Sequence, residues 1–300
     1  MAIRTSKKAA NVINGVKTKK YLSRFQTKLR RRREGKTDYK HRSAMIRQDA
    51  NKQGAVKNRI VVRITNKKII CQVVKAYVVG DRTIVSADST ELKKYGINFG
   101  LTNYSAAYAT GLLLARRMLA KQNLAEEFPA KEADGEYNVV ECNEEGKKPL
   151  TCYLDIGLNR STKGARVFAA MKGCSDGGLR VPHSPDKFAG FSDGKLNSEV
   201  LRNQIFGKNV ADYMKLLMEN DTVKYKKQFS DYIKKGINPE DLEGIYEKAF
   251  IQIISDPSRD DKVQKDYSSF ARYKVKKLTL EERKARILAK KQAMSAEQNN

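Results

Sequence analysis

Apolar residues in this chain recur with two different periods, and the change from one to the other divides it. From Asn58 the segments RIVVRIT, KIICQVVKAYVV and RTIVSA are β-branched runs, separated by TNK and by the turn-favouring pair Gly80-Asp81. They predict a three-strand meander. After KKYGINFG the apolar positions Leu101, Tyr104, Tyr108, Leu112, Ala115 and Leu119 return at helical intervals, with Thr102 or Asn103 as the cap. The stretch from Glu126 to Lys148 is acidic and turn-rich, which predicts a solvated loop or hairpin. TCYLDIG then reads as a buried strand and STKGARVFAAMKG as a short helix ending near Gly173. A meander followed by helix, strand and helix indicates an α/β layer with a mixed sheet.

Beyond the turn-rich GCSDGGLRVPHSPDKFAGFSDGK the pattern is helical. Ser198 is placed to cap one helix carrying Val200, Leu201, Ile205, Phe206, Val210, Tyr213, Met214 and Leu217. Asn238-Pro239-Glu240-Asp241 opens another, bearing Leu242, Ile245, Tyr246, Ala249, Phe250 and Ile253. Thr279 followed by Glu282 forms a capping box, and Arg283, Arg286 and Lys290 share one face behind it. Residues 1 to 45 have no sustained apolar period, so they are expected to order only on a partner. The division expected is a basic arm over 1–45, an α/β core over 46–190 and a helical region over 191–300 that ends in a basic helix.

Charge sharpens this division. The chain has 60 Lys and Arg against 34 Asp and Glu, a net charge of +26, which points to a polyanionic partner. Residues 1–60 hold 19 basic and 3 acidic side chains, and residues 259–300 hold 12 and 6, so a nearly neutral body carries two basic ends. The N-terminal MAIRTSKKAANVING has no apolar core, and no stretch approaches the ~18 apolar residues of a membrane span. Neither secretion nor membrane insertion is expected. Cys71, Cys142, Cys152 and Cys174 are irregularly spaced, so they suggest neither zinc nor disulfides, and reduced thiols are expected.

Catalytic chemistry finds little footing. His41 and His183 are the two histidines, and neither sits in a recognisable catalytic or metal-ligand setting. His183, in LRVPHSP, can donate to a phosphate or satisfy a turn, with the turn favoured. GCSDGG lacks the lysine of a phosphate-binding loop. KGARVF has alanine where an RNA-recognition motif needs a stacking aromatic. Asp155 is a lone strand aspartate, whereas metal-dependent nucleases need several converging carboxylates. What remains is the arm, where Tyr21, Phe25 and Tyr39 alternate with Arg24, Arg30, Arg31, Arg32, Arg33 and Lys36. Arginine forks suit phosphates and aromatic rings suit unpaired bases, so the arm predicts nucleic-acid binding without separating RNA from DNA.

The blocks YLSRFQTKLRRRREGKTDY, RIVVRITNKKIICQVV, YGINFGLTNYSAAYATGLLLARR, YLDIGLNRSTKGARVFAAMKGCSDGGLRVPHS and LRNQIFG resemble, in order, those of the eukaryotic large-subunit ribosomal protein L-five family, counterpart of bacterial ribosomal protein L-eighteen. The resemblance implies a ribonuclease-H-like strand order without catalytic acids, no enzymatic activity and no cofactor or metal. It implies 5S rRNA as ligand, contact with large-subunit rRNA, and a particle shared with ribosomal protein L-eleven (eukaryotic naming) before docking as the central protuberance. Passage through the nucleus and nucleolus to the cytoplasmic ribosome follows, with a nuclear import adaptor gripping the extreme N-terminus. The leader before Tyr21 is longer and more basic than the family pattern, which puts that last contact in doubt. RNA-facing residues implied are Arg24, Phe25, Gln26, Arg30, Arg31, Arg32, Arg33, Lys36, Thr37, Tyr39, Arg63 and Asn66, then Asn103, Arg116, Arg117, Lys163, Arg166, Lys172 and His183 on the core side. Arg283, Arg286 and Lys290 join them from the last helix. The rival expectation is a non-ribosomal RNA- or DNA-binding architectural protein.

Overall fold

The β-branched runs pair around a central strand, β1 (Asn58–Ile64). The structure, a computed structural model, describes residues 19–47, 57–143, 146, 149–260, 266–273 and 275–298. β1 runs antiparallel to β2 (Ile69–Tyr77), from Asn58 opposite Lys75 to Ile64 opposite Ile69. β2 runs antiparallel to β3 (Gly80–Asp88), with an irregularity between Val73 and Val74. β4 (Cys152–Asp155) joins β1 in parallel, giving the order β3-β2-β1-β4 among the described residues. The meander and the mixed sheet expected from the sequence are therefore present. The second hairpin, however, turns at Val78-Val79, while Gly80 and Asp81 already pair with Tyr77 and Ala76. Gly80 sits at φ +146°, a conformation open to glycine that lets the chain reverse two residues early. The two valines are left bare to solvent.

Alternation along β1 sends Ile60 and Val62 into the core and Arg59, Val61 and Arg63 to the opposite face. The core side is closed by α4 (Tyr104–Lys121) and α5 (Arg166–Asp176). These helices touch backbone to backbone. A Cβ at Gly111 would stand 2.1 Å from the Ala170 carbonyl oxygen, and one at Gly173 would stand 2.2 Å from that of Tyr108. Gly173 is thus a crossing point, not a stop, and α5 continues to Asp176 before Gly177 caps it.

The segment after α4 is an irregular loop, as expected, but it is tied to the fold and not wholly solvated. It has no strand among its described residues, yet Phe128 is buried, the Lys131 N–H donates to the Asp176 carbonyl at 2.7 Å and the Ser175 hydroxyl donates to that of Asn138 at 2.7 Å. The irregular chain spends its polar groups on the end of α5.

After a small hairpin, β5 (Phe191–Ser192) with β6 (Lys195–Leu196), the single helix expected from Ser198 is two. α6 (Ser198–Ile205) is capped by Asn197, whose side chain accepts from the Val200 N–H at 3.2 Å. It ends before Gly207, at φ +76°, and α7 (Lys208–Asn220) starts anew. α8 (Thr222–Gln228), α9 (Ser230–Lys234) and α10 (Asp241–Ser255) follow. Their apolar stripes enter the same core: the Phe250 ring lies 5.1 Å from Tyr108, and Tyr232 lies 5.0 Å from Phe99.

The chain forms two compact units, Met1–Ser258 and Arg259–Asn300. In the second, a 3-10 turn (Ser268–Tyr273) precedes α11 (Leu280–Gln298). The capping box holds: the Thr279 N–H donates to the Glu282 carboxylate at 2.8 Å, and the Glu282 N–H to the Thr279 hydroxyl at 3.3 Å.

Candidate nucleic-acid interface

Arg59 and Arg63 stand on the outer face of β1, four residues apart and therefore on the same side of the pleat. Asp155 on β4 lies between them. Arg59 Nη1 donates to Asp155 Oδ2 at 2.7 Å and Arg63 Nη2 to Oδ1 at 2.9 Å, while the Gly157 N–H adds a bond of 2.9 Å. Asp155 is thereby consumed as an ion-pair hub, in keeping with the lone structural aspartate read from the sequence. Gly157 sits at φ +64°, a conformation L side chains rarely adopt, and a Cβ there would fall 2.8 Å from the Arg63 guanidinium carbon and displace it. The second Arg59 fork reaches Asp81 Oδ2 at 2.8 Å, and Arg42 reaches Asp81 Oδ1 at 2.6 Å. Burial opposes ionisation of Asp81, yet the Arg42 and Arg59 guanidiniums outweigh it and hold its pKa below the ordinary value.

This network reaches out and seizes the arm. The arm holds α1 (Lys19–Arg24), α2 (Arg30–Arg33) and α3 (Tyr39–Ile46). Arg63 Nε donates to the Lys36 carbonyl at 2.7 Å, and Arg42 of α3 is the partner of Asp81. Asp38 caps α3 by accepting from the Lys40 N–H at 3.1 Å and the His41 N–H at 3.4 Å. The expectation that residues up to 45 order only on a partner does not describe Arg30–Ile46, which the sheet already holds. Between arm and sheet runs a cleft of about 440 Å³ whose walls include Arg31, Thr37, Tyr39, Arg42, Arg59 and Arg63.

Within the arm, Arg31 donates to the Thr37 hydroxyl at 3.0 Å and Arg33 to the Lys28 carbonyl at 3.0 Å. Glu34 pairs with Lys36 at 2.8 Å and Arg30 at 2.9 Å, and their hydrogen bonds hold its pKa below the usual range. Arg24, Gln26, Arg30, Arg31, Arg33 and Lys36 remain exposed, Arg32 and Tyr39 are half-buried, and Thr37 is buried. Phe25 is exposed and stacks on Tyr21 at 5.7 Å. Residues 1–18, most of the leader, lie outside the described residues. Asn66 is exposed on the β1–β2 turn.

The core-side candidates divide. Asn103 at the start of α4 donates to the Tyr232 hydroxyl at 3.1 Å, and exposed Arg166 reaches the Thr102 carbonyl at 2.7 Å, so the two helix starts adjoin. Exposed Lys163 reaches the Phe191 carbonyl at 3.3 Å. Lys172, in contrast, is fully buried against the Asp176 carboxylate, which also accepts from the Tyr108 hydroxyl at 2.8 Å. Burial raises the Asp176 pKa to about 6 against the pull of Lys172. Arg116 is buried and donates to the Phe128 carbonyl at 2.9 Å and that of Ala125 at 3.1 Å. Arg117 is held by Glu91 at 2.9 Å, the Ser86 carbonyl at 2.8 Å and the Pro257 carbonyl at 2.9 Å. His183 bonds the Val181 carbonyl through Nδ1 at 2.6 Å, between the rings of Tyr137 and Phe188. Lys172 and Arg116 are buried and Arg117 and His183 half-buried, and each bonds to the protein itself, while Arg116 Nε and His183 Nε2 are buried without a hydrogen-bond partner. Arg283, Arg286 and Lys290 are exposed on α11. Sequence reasoning missed Arg42, Arg59 and Asp81. The alternation of arginine with valine in RIVVR was the available signal.

Among the described residues no group of three or more His, Cys, Asp or Glu is arranged to hold a metal ion, and no helix is long and apolar enough to cross a membrane. A mixed α/β core whose acids in the sheet cleft, Asp81 and Asp155, are tied up by arginine, under a basic arm, defines a nucleic-acid-binding scaffold. The chain belongs to the family described as ribosomal large subunit proteins 60S L5 and 50S L18, whose model matches residues 23–184. The model of the ribosomal L18 C-terminal region matches residues 242–296. Large ribosomal subunit protein uL18B of Schizosaccharomyces pombe is 49% identical over 285 residues, covering 93% of this chain and 97% of its own. The uL18 proteins of Drosophila melanogaster (49%, covering 94% and 95%) and Dictyostelium discoideum (47%, covering 94% and 97%) are similar over the same extent. The chain is accordingly a structural constituent of the large ribosomal subunit, associated with rRNA, and not an enzyme.

Proposed function

We propose that this ribosomal protein binds 5S rRNA through the arm and the outer face of the sheet, and anchors it in the central protuberance. The observation that supports this most is the tie of the Lys36 carbonyl to Arg63, together with Arg42 to Asp81, which presents the Arg30–Arg33 turn on a fixed platform. Arg24, Gln26, Arg30, Arg31, Arg32, Arg33 and Lys36 serve the phosphates, Thr37 braces Arg31, and Phe25 and Tyr39 offer faces to unpaired bases. Arg63 positions the arm, Asn66 extends the surface, and Asn103, Lys163 and Arg166 form a second patch. Arg283, Arg286 and Lys290 contact large-subunit rRNA. In this reading residues 1–45 are the RNA arm, 46–190 the 5S-binding core and 191–300 the helical region. Assembly runs through a particle with ribosomal protein L-eleven, nuclear import by an adaptor and nucleolar passage. Purification from cell extract, with the bound RNA identified, tests the proposal. Recovery of 5S rRNA is the expected result, and recovery of other RNA or mostly duplex DNA overturns it.

A further inference from the structure

Three aromatic side chains in the C-terminal unit stand in a row. Tyr267 immediately precedes the 3-10 turn Ser268–Tyr273, and Phe270 and Tyr273 follow at intervals of three residues. That spacing matches the three-residue repeat of a 3-10 turn, so side chains three apart eclipse one another on one face. The ring centroids lie 6.4 Å apart between Tyr267 and Phe270 and 6.5 Å apart between Phe270 and Tyr273. All three are exposed, at 67%, 60% and 68%. Such a row contributes nothing to a core. Its exposed faces are open to a ligand that stacks on flat rings.

We propose that Tyr267, Phe270 and Tyr273 form a stacking row for unpaired RNA bases, a contact separate from the arm; this rests on the reading that the chain's partner is RNA. The spacing fits, because a stacked base occupies about 3.4 Å, so two rings that enclose one base stand roughly 6.8 Å apart. The rings are tilted by 50° and 35°, and exposed side chains reorient within ps–ns, so alignment with an entering base needs no backbone change. Charge favours a polyanion over an apolar protein pocket: from Asp266 to Leu280 the sequence contains Arg272, Lys274, Lys276 and Lys277 against one acid, Asp266, whose carboxylate is turned onto Ser268. Stacking is indifferent to sequence, since every base has a π-face. The row therefore holds a flexible single strand, and exposed Lys276 and Lys277 hold its phosphates.

The test uses the full-length protein with two probes, a short single-stranded oligouridylate and an RNA duplex of equal charge. The variant Tyr267→Leu/Phe270→Leu/Tyr273→Leu keeps apolar bulk and removes the π-faces, and Tyr267→Phe/Tyr273→Phe keeps them. The leucine variant is expected to bind oligouridylate about ten-fold or more weakly, with duplex affinity, salt dependence and melting temperature unchanged, and the phenylalanine variant is expected to match the parent. Photo-crosslinks from oligouridylate to the three rings are expected in the parent. Unchanged oligouridylate affinity in the leucine variant overturns the stacking row, and so does an equal loss on both probes, which would make the rings a prop for the basic segment. If the parent binds neither probe nor 5S rRNA, the RNA reading falls with it; if the parent retains 5S rRNA while it does not bind oligouridylate or the leucine substitutions change nothing, the stacking row alone falls.

Discussion

Arg59 and Asp155 face each other across the parallel β1–β4 pair at 2.7 Å, with side chains only 3% and 4% exposed. The pair sits where the core gives way to the outer face of the sheet, and it joins β4, the arm and the β2–β3 hairpin through Arg63 and Asp81.

Removing one member of a buried pair strands the other charge, which destabilises by about 3–5 kcal/mol. Asp155→Ala is expected to fall toward the lower end of this range in urea unfolding, because it takes the shared carboxylate from Arg59 and Arg63 while Arg59 keeps Asp81 and Arg63 keeps the Lys36 carbonyl. Arg59→Met/Asp155→Leu is expected to recover part of the loss. Equal stability of Asp155→Ala and the parent would show that the cluster is solvated.

Salt dependence separates the arginines of the arm from its aromatics. Each phosphate contact contributes roughly 0.7–0.9 to the slope of log K against log salt. Replacing Arg30, Arg31, Arg32 and Arg33 by alanine is expected to flatten the slope for 5S RNA by about 3 units. Phe25→Ala and Tyr39→Ala should lower affinity by about 1–3 kcal/mol with the slope intact. A melting curve of the free protein checks that Tyr39, which lines the cleft, acts on RNA and not on arm packing.

The backbone contact between α4 and α5 tolerates no added methyl group. Gly111→Ala and Gly173→Ala each drive a Cβ into a carbonyl oxygen, at 2.1 Å and 2.2 Å, so the helices must separate. A loss of about 1–3 kcal/mol is expected from such overpacking, measurable as a lowered denaturant midpoint. A neutral result would mean that the crossing is looser than the geometry requires.

Asp176 supplies a pH dependence of known sign. Its folded pKa, about 6, stands above the ordinary 3.8 because burial penalises the carboxylate. The folded state therefore binds the proton more tightly than the unfolded state does. This contribution to stability is fully present below pH about 4 and is lost as pH rises through about 6. Asp176→Asn should flatten the stability profile in that window. Lys172→Met, which removes the opposing cation, should push the pKa higher and extend the window upward.

The strands were legible because β-branched runs bounded by turn residues leave few other options, and the Thr279–Glu282 box because its geometry is local. Boundaries failed where a glycine has two uses. Gly173 looked like a helix end and is a crossing point, Gly207 looked like a helix interior and is a break, and Gly80 looked like a turn and opens a strand. Lys172 and Arg116 looked like surface cations, because a one-letter code does not reveal that an aspartate one helical turn later, or a carbonyl in the next loop, already takes the charge. Arg42 and Asp81, 39 residues apart, meet only once the sheet exists.

The bond from Arg63 to the Lys36 carbonyl also fixes the thermodynamics of capture. A floppy tail surrenders about 1–2 kcal/mol of backbone freedom per residue when it closes on a ligand, and a favourable enthalpy has to offset that loss at each encounter. Between Arg30 and Ile46 the loss is incurred at folding, before RNA arrives. Cutting the tie with Arg63→Met should leave the phosphate charges in place yet move the binding entropy in the unfavourable direction, so that the protein's grip on RNA weakens with rising temperature through disorder and not through lost charge.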